Sequence, residues 1–290
     1  MTSTRHQLAA LAAVAATTLA LAGCGSTSDP ATDSSTSAAE ATASEVGALD
    51  TVTDGVLTIA TGEPAYEPWV IGDDPTSGQG FESAVAYAVA EQLGFAEDEV
   101  VWVRTTFDAA IAPGAKDWDF NIQQFSITPE RAEAVDFSSA YYTTTQAIVT
   151  VEGNDAATAA SVSDLSDSVV GVAVGTTSYD VAVDEFGEEN LQVFNSVADV
   201  VAALNAGQID AFVTDLPGAF YSAAVEVDGG VIIGQFASSE GGDEFGLVLT
   251  KDSPMTAPVT EAVDALAADG TLAELETEWL SDAVNVPVLS

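Results

Sequence analysis

Short β-branched runs that give way to polar turns, and then to apolar residues at helical spacing, recur along most of this chain. Gly55–Ala60 (Gly-Val-Leu-Thr-Ile-Ala) alternates and reads as a strand. A loop rich in Gly, Pro, Asp and Ser runs from Thr61 to Gln79. Gly80 then opens a helix on which Phe81, Val85, Ala88, Val89 and Leu93 share a face before Gly94 closes it. Val100–Val103 reads as a strand, Thr106–Ile111 as a short helix stopped by Pro113-Gly114, and Thr144–Val151 as a strand. The pattern then restarts. Strand Val169–Val174 meets Gly175-Thr176-Thr177-Ser178 and a helix with Tyr179, Val181, Val183 and Phe186. Val193–Asn195 is a brief strand, Ser196 with Asp199 caps a helix ending at Gly207, and Ile209–Val213 is a strand. Val231–Gln235 and Phe245–Thr250 are strands, and helices Ala257–Ala268 and Leu272–Leu280 close the chain. Such alternation predicts an α/β protein with parallel or mixed sheets flanked by helices. Ligands in these sheets sit beyond the carboxyl ends of strands. That directs attention to four loops: Thr61–Trp69, Gln123–Arg131, Gly175–Tyr179 and Thr214–Pro217.

The stretch Asp119–Tyr142 carries the most chemistry. It reads as a short strand, a polar turn, and the start of a helix with Thr128 as N-cap and Pro129 in the first turn. At that start stands Arg131, in a chain with only 5 Lys plus Arg against 46 Asp plus Glu. A helix N-terminus favours anions, not cations. Arg131 therefore either pairs with Glu130, Glu133 or Asp136, or it joins the nearby backbone donors in holding an anionic group of a ligand.

The first 24 residues read as a secretory leader: a start carrying Arg5, an apolar Leu8–Leu21, then Leu21-Ala22-Gly23-Cys24. Gly25–Asp50 is mostly Ser, Thr, Ala, Asp and Glu without an aromatic residue, the composition of a disordered tether. Cys24 is the only cysteine, so no disulfide within the chain, thiol catalysis or Cys-based metal site is available to the folded part. The single histidine, His6, falls in the leader, which removes His-based acid–base chemistry and His ligation as well. No cofactor or metal is expected. A formal net charge of −41 makes nucleic acid an unsuitable partner. Scattered acids with scarce lysine suit a salty external milieu, where self-repulsion is screened.

Together these loops resemble the extracellular solute-binding proteins that serve ABC importers of polar amino acids, from about Leu57 to Leu280. The residues that carry the resemblance are Gly80-Phe81-Glu82, then Ser126-Ile127-Thr128-Pro129-Glu130-Arg131 with Val135-Asp136-Phe137-Ser138 and Tyr141-Tyr142. Gly171-Val172-Ala173-Val174-Gly175-Thr176-Thr177-Ser178 and Gly207-Gln208-Ile209-Asp210-Ala211 leading to Asp215 complete it. Leu21–Cys24 is similar to a lipobox, which implies residues 1–23 as a lipoprotein signal peptide, a lipidated Cys24 and a tether over 24–52. The resemblance implies a type II periplasmic-binding-protein-like clamp. Residues 53–143 and 245–290 form one lobe and 144–244 the other, each a mixed sheet flanked by helices, with a two-stranded hinge near Thr143–Gln146 and Gly241–Gly246.

It also implies a ligand set. Arg131 takes an α-carboxylate, helped by Gln124, by Ser126 and by the Thr177 backbone N–H at a helix start. Asp215 takes the α-ammonium, Tyr66 and Trp69 line the side-chain pocket, and Glu63 reaches the ligand side chain. Gln123-Gln124 is bulkier and more polar than the small residues common at that place, which shrinks the pocket or adds hydrogen bonds. The function implied is capture of an amino acid, polar or cationic by the weight of nearby acids, by a non-enzymatic monomer. That monomer is lipid-anchored at the outer face of the cell membrane and delivers its ligand to an ABC permease. Two alternatives stay open: a dehydratase-like or lytic-transglycosylase-like enzyme using Glu63 as general acid, and a ligand-sensing partner of a membrane receptor.

Overall fold

The computed structural model describes residues 49–236, 242–280 and 286–289, all within one compact unit, Thr42–Ser290. The leader, Cys24 and Gly241 of the expected hinge lie outside the described residues. Among the described residues, no helix is long and apolar enough to cross a membrane.

Two mixed sheets organise the chain, as the two-lobed clamp requires. The first contains β1 (Leu57–Thr61), β2 (Val100–Arg104), β3 (Phe120–Asn121), β4 (Val135–Thr144) and β10 (Asp243–Thr250), in the order β2-β1-β3-β10-β4. Strands β1, β2 and β3 run parallel, and β10 is antiparallel to both its neighbours. Every residue of β1 is buried, because helices cover both faces of the sheet. On one face pack α1 (Phe81–Gln92), α7 (Thr256–Asp269) and α8 (Thr271–Leu280), with Phe81, Val85, Val263 and Leu266 in a shared core. On the other face, Ala110 of α2 (Phe107–Ile111) packs with Trp118, Phe125 and Val248. Phe81, Phe120, Phe125 and Phe245 are fully buried, and each such burial contributes roughly 1.5–3 kcal/mol.

The second sheet has the order β11-β9-β5-β8-β6-β7. Its strands are β5 (Gln146–Val151), β6 (Val170–Ala173), β7 (Leu191–Phe194), β8 (Ala211–Asp215), β9 (Gly230–Phe236) and β11 (Val288–Leu289). Helix α5 (Val197–Asn205) and helix α6 (Leu216–Tyr221), extended by a π-helical turn at Ser222–Glu226, cover one face. Helix α4 (Thr177–Phe186) covers the other.

Four sequence expectations are corrected. The helix begun at Thr128 is a single turn, α3 (Arg131–Ala134); Thr128 Oγ1 does accept from the Arg131 N–H at 3.1 Å. The chain then turns into β4, because β10, more than 100 residues away, supplies the antiparallel partner that short-range spacing cannot reveal. The Thr144–Val151 strand is divided at Thr145 between the two sheets. The last residues do not stay with the first lobe, since β11 pairs parallel with β9 of the second sheet. The tether ends earlier than residue 52: Leu49 packs on the first core, Thr51 is buried, and the Val52 N–H donates to Asp119 Oδ1 at 2.7 Å.

The loop before α1 is fastened to the helix start. Trp69 O accepts from Glu82 N at 3.0 Å and Ser83 N at 3.3 Å, and Pro68 O accepts from Phe81 N at 3.0 Å. Gly80 allows this approach. Its φ is +98°, and a Cβ there would stand 2.5 Å from Trp69 O and 2.8 Å from Val70 Cα. Gly80→Ala is expected to lower unfolding free energy by about 2–4 kcal/mol in urea titration. A change below about 0.5 kcal/mol would show that the loop yields freely.

Candidate functional site

The carboxyl ends of the parallel strands converge on a cavity of about 540 Å³ between the two sheets. Thr61 ends β1, Thr105–Asp108 follow β2, Gln123–Ser126 follow β3, Thr176 and Thr177 follow β6, Asn195–Ala198 follow β7, and Asp215 ends β8. All of these segments contribute to its wall. The eight residues implicated from sequence, Arg131, Asp215, Ser126, Gln124, Thr177, Glu63, Tyr66 and Trp69, line this same cavity.

Arg131 reaches the cavity from α3. Its Nη1 donates to Ser126 O at 2.8 Å and its Nη2 to Gly175 O at 3.0 Å, and its guanidinium carbon sits 5.3 Å from the Phe107 ring centre. Both bonds go to carbonyls. Among the described residues no carboxylate lies within 4.0 Å of the Arg131 guanidinium; the two ion pairs present are Arg104–Asp73 and Lys251–Asp136. Pairing of Arg131 with Glu130, Glu133 or Asp136 is therefore not what holds it. Burial draws its pKa down, against the surrounding charges of Asp215, Asp180, Asp243 and Glu130. A guanidinium has five N–H donors, so several remain for a ligand.

Facing it from the second sheet is Asp215. Burial, and then the charge of Asp243, push its carboxyl up to about 7, while a hydrogen bond from Gln146 and the charge of Arg131 pull the other way. Thr177 begins α4, where Thr176 is the N-cap with its side chain accepting from Tyr179 N. The Thr177 hydroxyl donates to Asp243 Oδ2 at 2.7 Å and lies 3.1 Å from Ser126 Oγ, so the two lobes touch directly across the cleft. The first N–H groups of a helix lack intrahelical acceptors, and those of α4 open beside the cavity wall.

Gln124 is placed differently from its expected part. Its φ is +49°, and both its backbone N–H and its side-chain amide donate to Glu82, the former at 2.7 Å. Tyr141 OH also donates to Glu82 Oε1, at 2.5 Å. Burial raises the Glu82 carboxyl to about 7, against the hydrogen bonds from Tyr141 and Gln124. Glu82 lies behind the wall as the anchor of the turn that carries Ser126. In sequence Glu82 stands out only as part of Gly80-Phe81-Glu82, and nothing there marks it as the support of a turn more than 40 residues away. Trp69 is only 3% exposed and packs against Phe81, Tyr142 and Phe245 with ring centres 5.9–6.1 Å apart, so it is chiefly core.

The loop bearing Glu63, Tyr66 and Glu67 is held by Arg104. That guanidinium donates to Gly62 O at 2.5 Å, Asp73 Oδ1 at 2.7 Å and Asp73 O at 2.6 Å. Burial would raise the Asp73 pKa, but the Ala65 N–H and Arg104 outweigh it and hold it low. Residues missed in sequence complete the far end: Tyr221 on α6 and Glu226 on the π-helical turn. Tyr66, Glu67, Tyr221 and Glu226 all line the cavity; burial and the charges of Glu67 and Glu226 raise the Tyr221 pKa, and burial followed by Glu226 raises that of Tyr66. Among the described residues, five carboxylates, Glu63, Glu67, Asp108, Asp215 and Glu226, line the cavity against one guanidinium, Arg131.

The chain is 27% identical over 230 residues to the L-arginine-binding protein of Pseudomonas aeruginosa, covering 76% of this chain and 86% of that one. It is 26% identical to the glutamate-binding protein GluB of Corynebacterium efficiens, with 83% and 84% covered. An ancestral arginine-binding protein solved with arginine superposes with a TM-score of 0.63 at 30% identity, covering 78% of this chain and 98% of that one. These relatives are named as binding proteins rather than enzymes. Residues 57–282 match one family model throughout, and the chain belongs to the bacterial extracellular solute-binding proteins, family 3.

Proposed function

We propose that the chain is the ligand-capturing subunit of an ABC importer, and that its ligand is an amino acid with a cationic side chain. One observation carries the reading: a half-buried guanidinium with carbonyls and, among the described residues, no carboxylate within 4.0 Å, facing an acid of the opposite lobe across the cavity. In this reading the ligand carboxylate lies between Arg131, the backbone at Ser126 and the start of α4 at Thr177. A planar fork pairs with a carboxylate at two points. The ligand ammonium meets Asp215. A neutral zwitterion would satisfy that pair and leave Glu63, Glu67, Asp108 and Glu226 uncompensated, whereas a second positive charge on the side chain offsets part of the surplus. The relatives named for arginine agree with this choice, and GluB, named for glutamate, is the competing substrate class.

Contacts from both lobes to one small molecule favour the closed state over the open one, which is what drives closure. Charge-assisted hydrogen bonds of about 1.5–3 kcal/mol each, with aromatic burial, make micromolar affinity, about −8 kcal/mol, reasonable. In the cell the domain would hang from a lipid on Cys24 at the outer membrane face and hand its ligand to a permease.

Calorimetric titration of each common amino acid tests the reading. L-Arginine or L-lysine is expected to bind at least about tenfold tighter than L-glutamate, and Arg131→Ala to weaken binding about a hundredfold. Silence from every amino acid sinks the proposal, and a preference for L-glutamate sinks the cationic choice. Glu226→Gln and Glu67→Gln should each narrow the arginine-over-glutamine ratio by about threefold to tenfold, measured by competition.

Acidity gives an independent check. The ligand-free Asp215 carboxyl titrates near 7, and an ammonium beside it favours the ionised form. Binding then expels a proton below that pH, so affinity is full above about 7 and falls on acidification by up to about tenfold per unit. Titrations in two buffers of different ionisation enthalpy should show proton release near pH 6 and none near pH 8. Affinity that strengthens on acidification would contradict the assignment of Asp215.

A further inference from the structure

The hinge holds polar groups that the ligand contacts do not use. Gln146 opens β5 and stands directly opposite Asp215 in the antiparallel pairing of β5 with β8. Asp243 opens β10 and stands opposite Thr144, the last residue of β4. Gln146 is 4% exposed, and both the oxygen and the nitrogen of its side-chain amide are engaged. Its Nε2 donates to Asp215 Oδ1 at 2.6 Å and to Asp243 Oδ2 at 2.7 Å, while its Oε1 accepts from Ser178 Oγ at 2.7 Å. An amide has two N–H donors, so one group serves both carboxylates. Asp243 Oδ2 also takes the Thr177 hydroxyl proton, which leaves the Thr177 oxygen to accept from Ser126 Oγ at 3.1 Å across the cleft.

These bonds form an unbroken line from Asp215 of the second lobe, through both hinge strands, to Ser126 of the first. We propose that Gln146 and Asp243 are positioning residues that aim the Asp215 carboxylate into the cavity and couple that aim to the Ser126–Thr177 contact which closes the lobes. The proposal rests on the reading of Asp215 as the ammonium site. Gln146 occupies Oδ1, and among the described residues no donor reaches Oδ2, which stays free for a ligand. Asp243 places a second negative charge beside the first. The amide between them lets two carboxylates share a half-buried hinge that one cation, Arg131, does not neutralise. An ammonium arriving at Asp215 relieves that repulsion and strengthens the same line of bonds that runs to Ser126. Ligand charge and closure are thereby joined through the hinge as well as through the ligand itself.

A purely structural role for these residues would alter stability without altering how Asp215 titrates. The groups that act on Asp215 are Asp243 on β10, Gln146 on β5, Arg131 on α3 and Glu82 on α1, with Tyr141 and Tyr142 of β4 feeling its charge in return. The test is carbon-13 NMR titration of the Asp215 carboxyl in the ligand-free whole chain, assigned with Asp215→Asn, alongside calorimetry with L-arginine. Asp243→Asn is expected to lower the Asp215 midpoint by about one unit and to flatten the pH dependence of L-arginine affinity. Gln146→Leu is expected to raise the midpoint and weaken L-arginine binding at about pH 8 by about tenfold or more. Should Gln146→Leu fail to fold, Asp243→Asn, which keeps shape and an acceptor, decides alone. A folded Asp243→Asn whose Asp215 midpoint stays within about 0.2 units of wild type overturns the proposal, whatever the chain binds. A wild type indifferent to L-arginine whose midpoint nevertheless shifts in Asp243→Asn supports the hinge coupling and overturns only the choice of ligand.

Discussion

A guanidinium withheld from carboxylates governs how this molecule is put together. In a chain of net charge −41, attraction alone would place an acid against every cation. Arg131 escapes that fate because its nearest acceptors are the carbonyls of Ser126 and Gly175, one from each lobe, and because its face lies over Phe107. The remaining cations among the described residues are spent on architecture. Arg104 ties down the loop beside the cavity, Lys116 caps the end of α2 through Ala109 O and Ala112 O, and Lys251 spans Ala132 O and Asp136. Each of these contacts stays within the first lobe. Among the described cations, only Arg131 sits where the two lobes meet.

Around that guanidinium the wall is acidic, and the acids differ in environment. Glu82 is sealed behind the cavity and shares three donors from Tyr141 and Gln124, so it fixes backbone rather than ligand. Asp215 is served by Gln146 alone among the described donors and keeps an oxygen toward the cavity. Both carboxyls are lifted to about 7 chiefly by burial, yet only one of them is placed to change its charge state when a cation arrives. A similar pKa thus reports two different jobs, and the hydrogen-bond partners tell them apart.

Much of this was readable before any coordinates. Strands and helices announced themselves by period, and the rule that α/β ligands lie beyond strand carboxyl ends led to the loops that do line the cavity. What escaped was non-local. Strand β4 follows Arg-Ala-Glu-Ala, residues content in a helix, and becomes a strand because β10 lies alongside it. Helix α6 begins with Leu216-Pro217-Gly218, which reads as a turn, and its continuation through Glu226 brings an acid to the cavity that no local pattern marks. Gln146 and Asp243 are ordinary polar residues at strand starts until the two sheets meet and their side chains converge. Gln124 was legible as a site position, but its commitment to Glu82 depends on a left-handed turn that only the fold reveals.

The return of the C-terminus to the second sheet has a mechanical consequence. Helix α8 ends at Leu280 in the first core, whereas Val286 packs on the second and β11 pairs with β9. The backbone therefore passes between the lobes a third time. Six peptide steps from Leu280 to Val286 can reach at most about 20–22 Å when fully drawn out. While α8 and β11 both keep their places, Leu280 and Val286 can stand no further apart than that, so any wider gaping of the clamp must first free one of the two anchors.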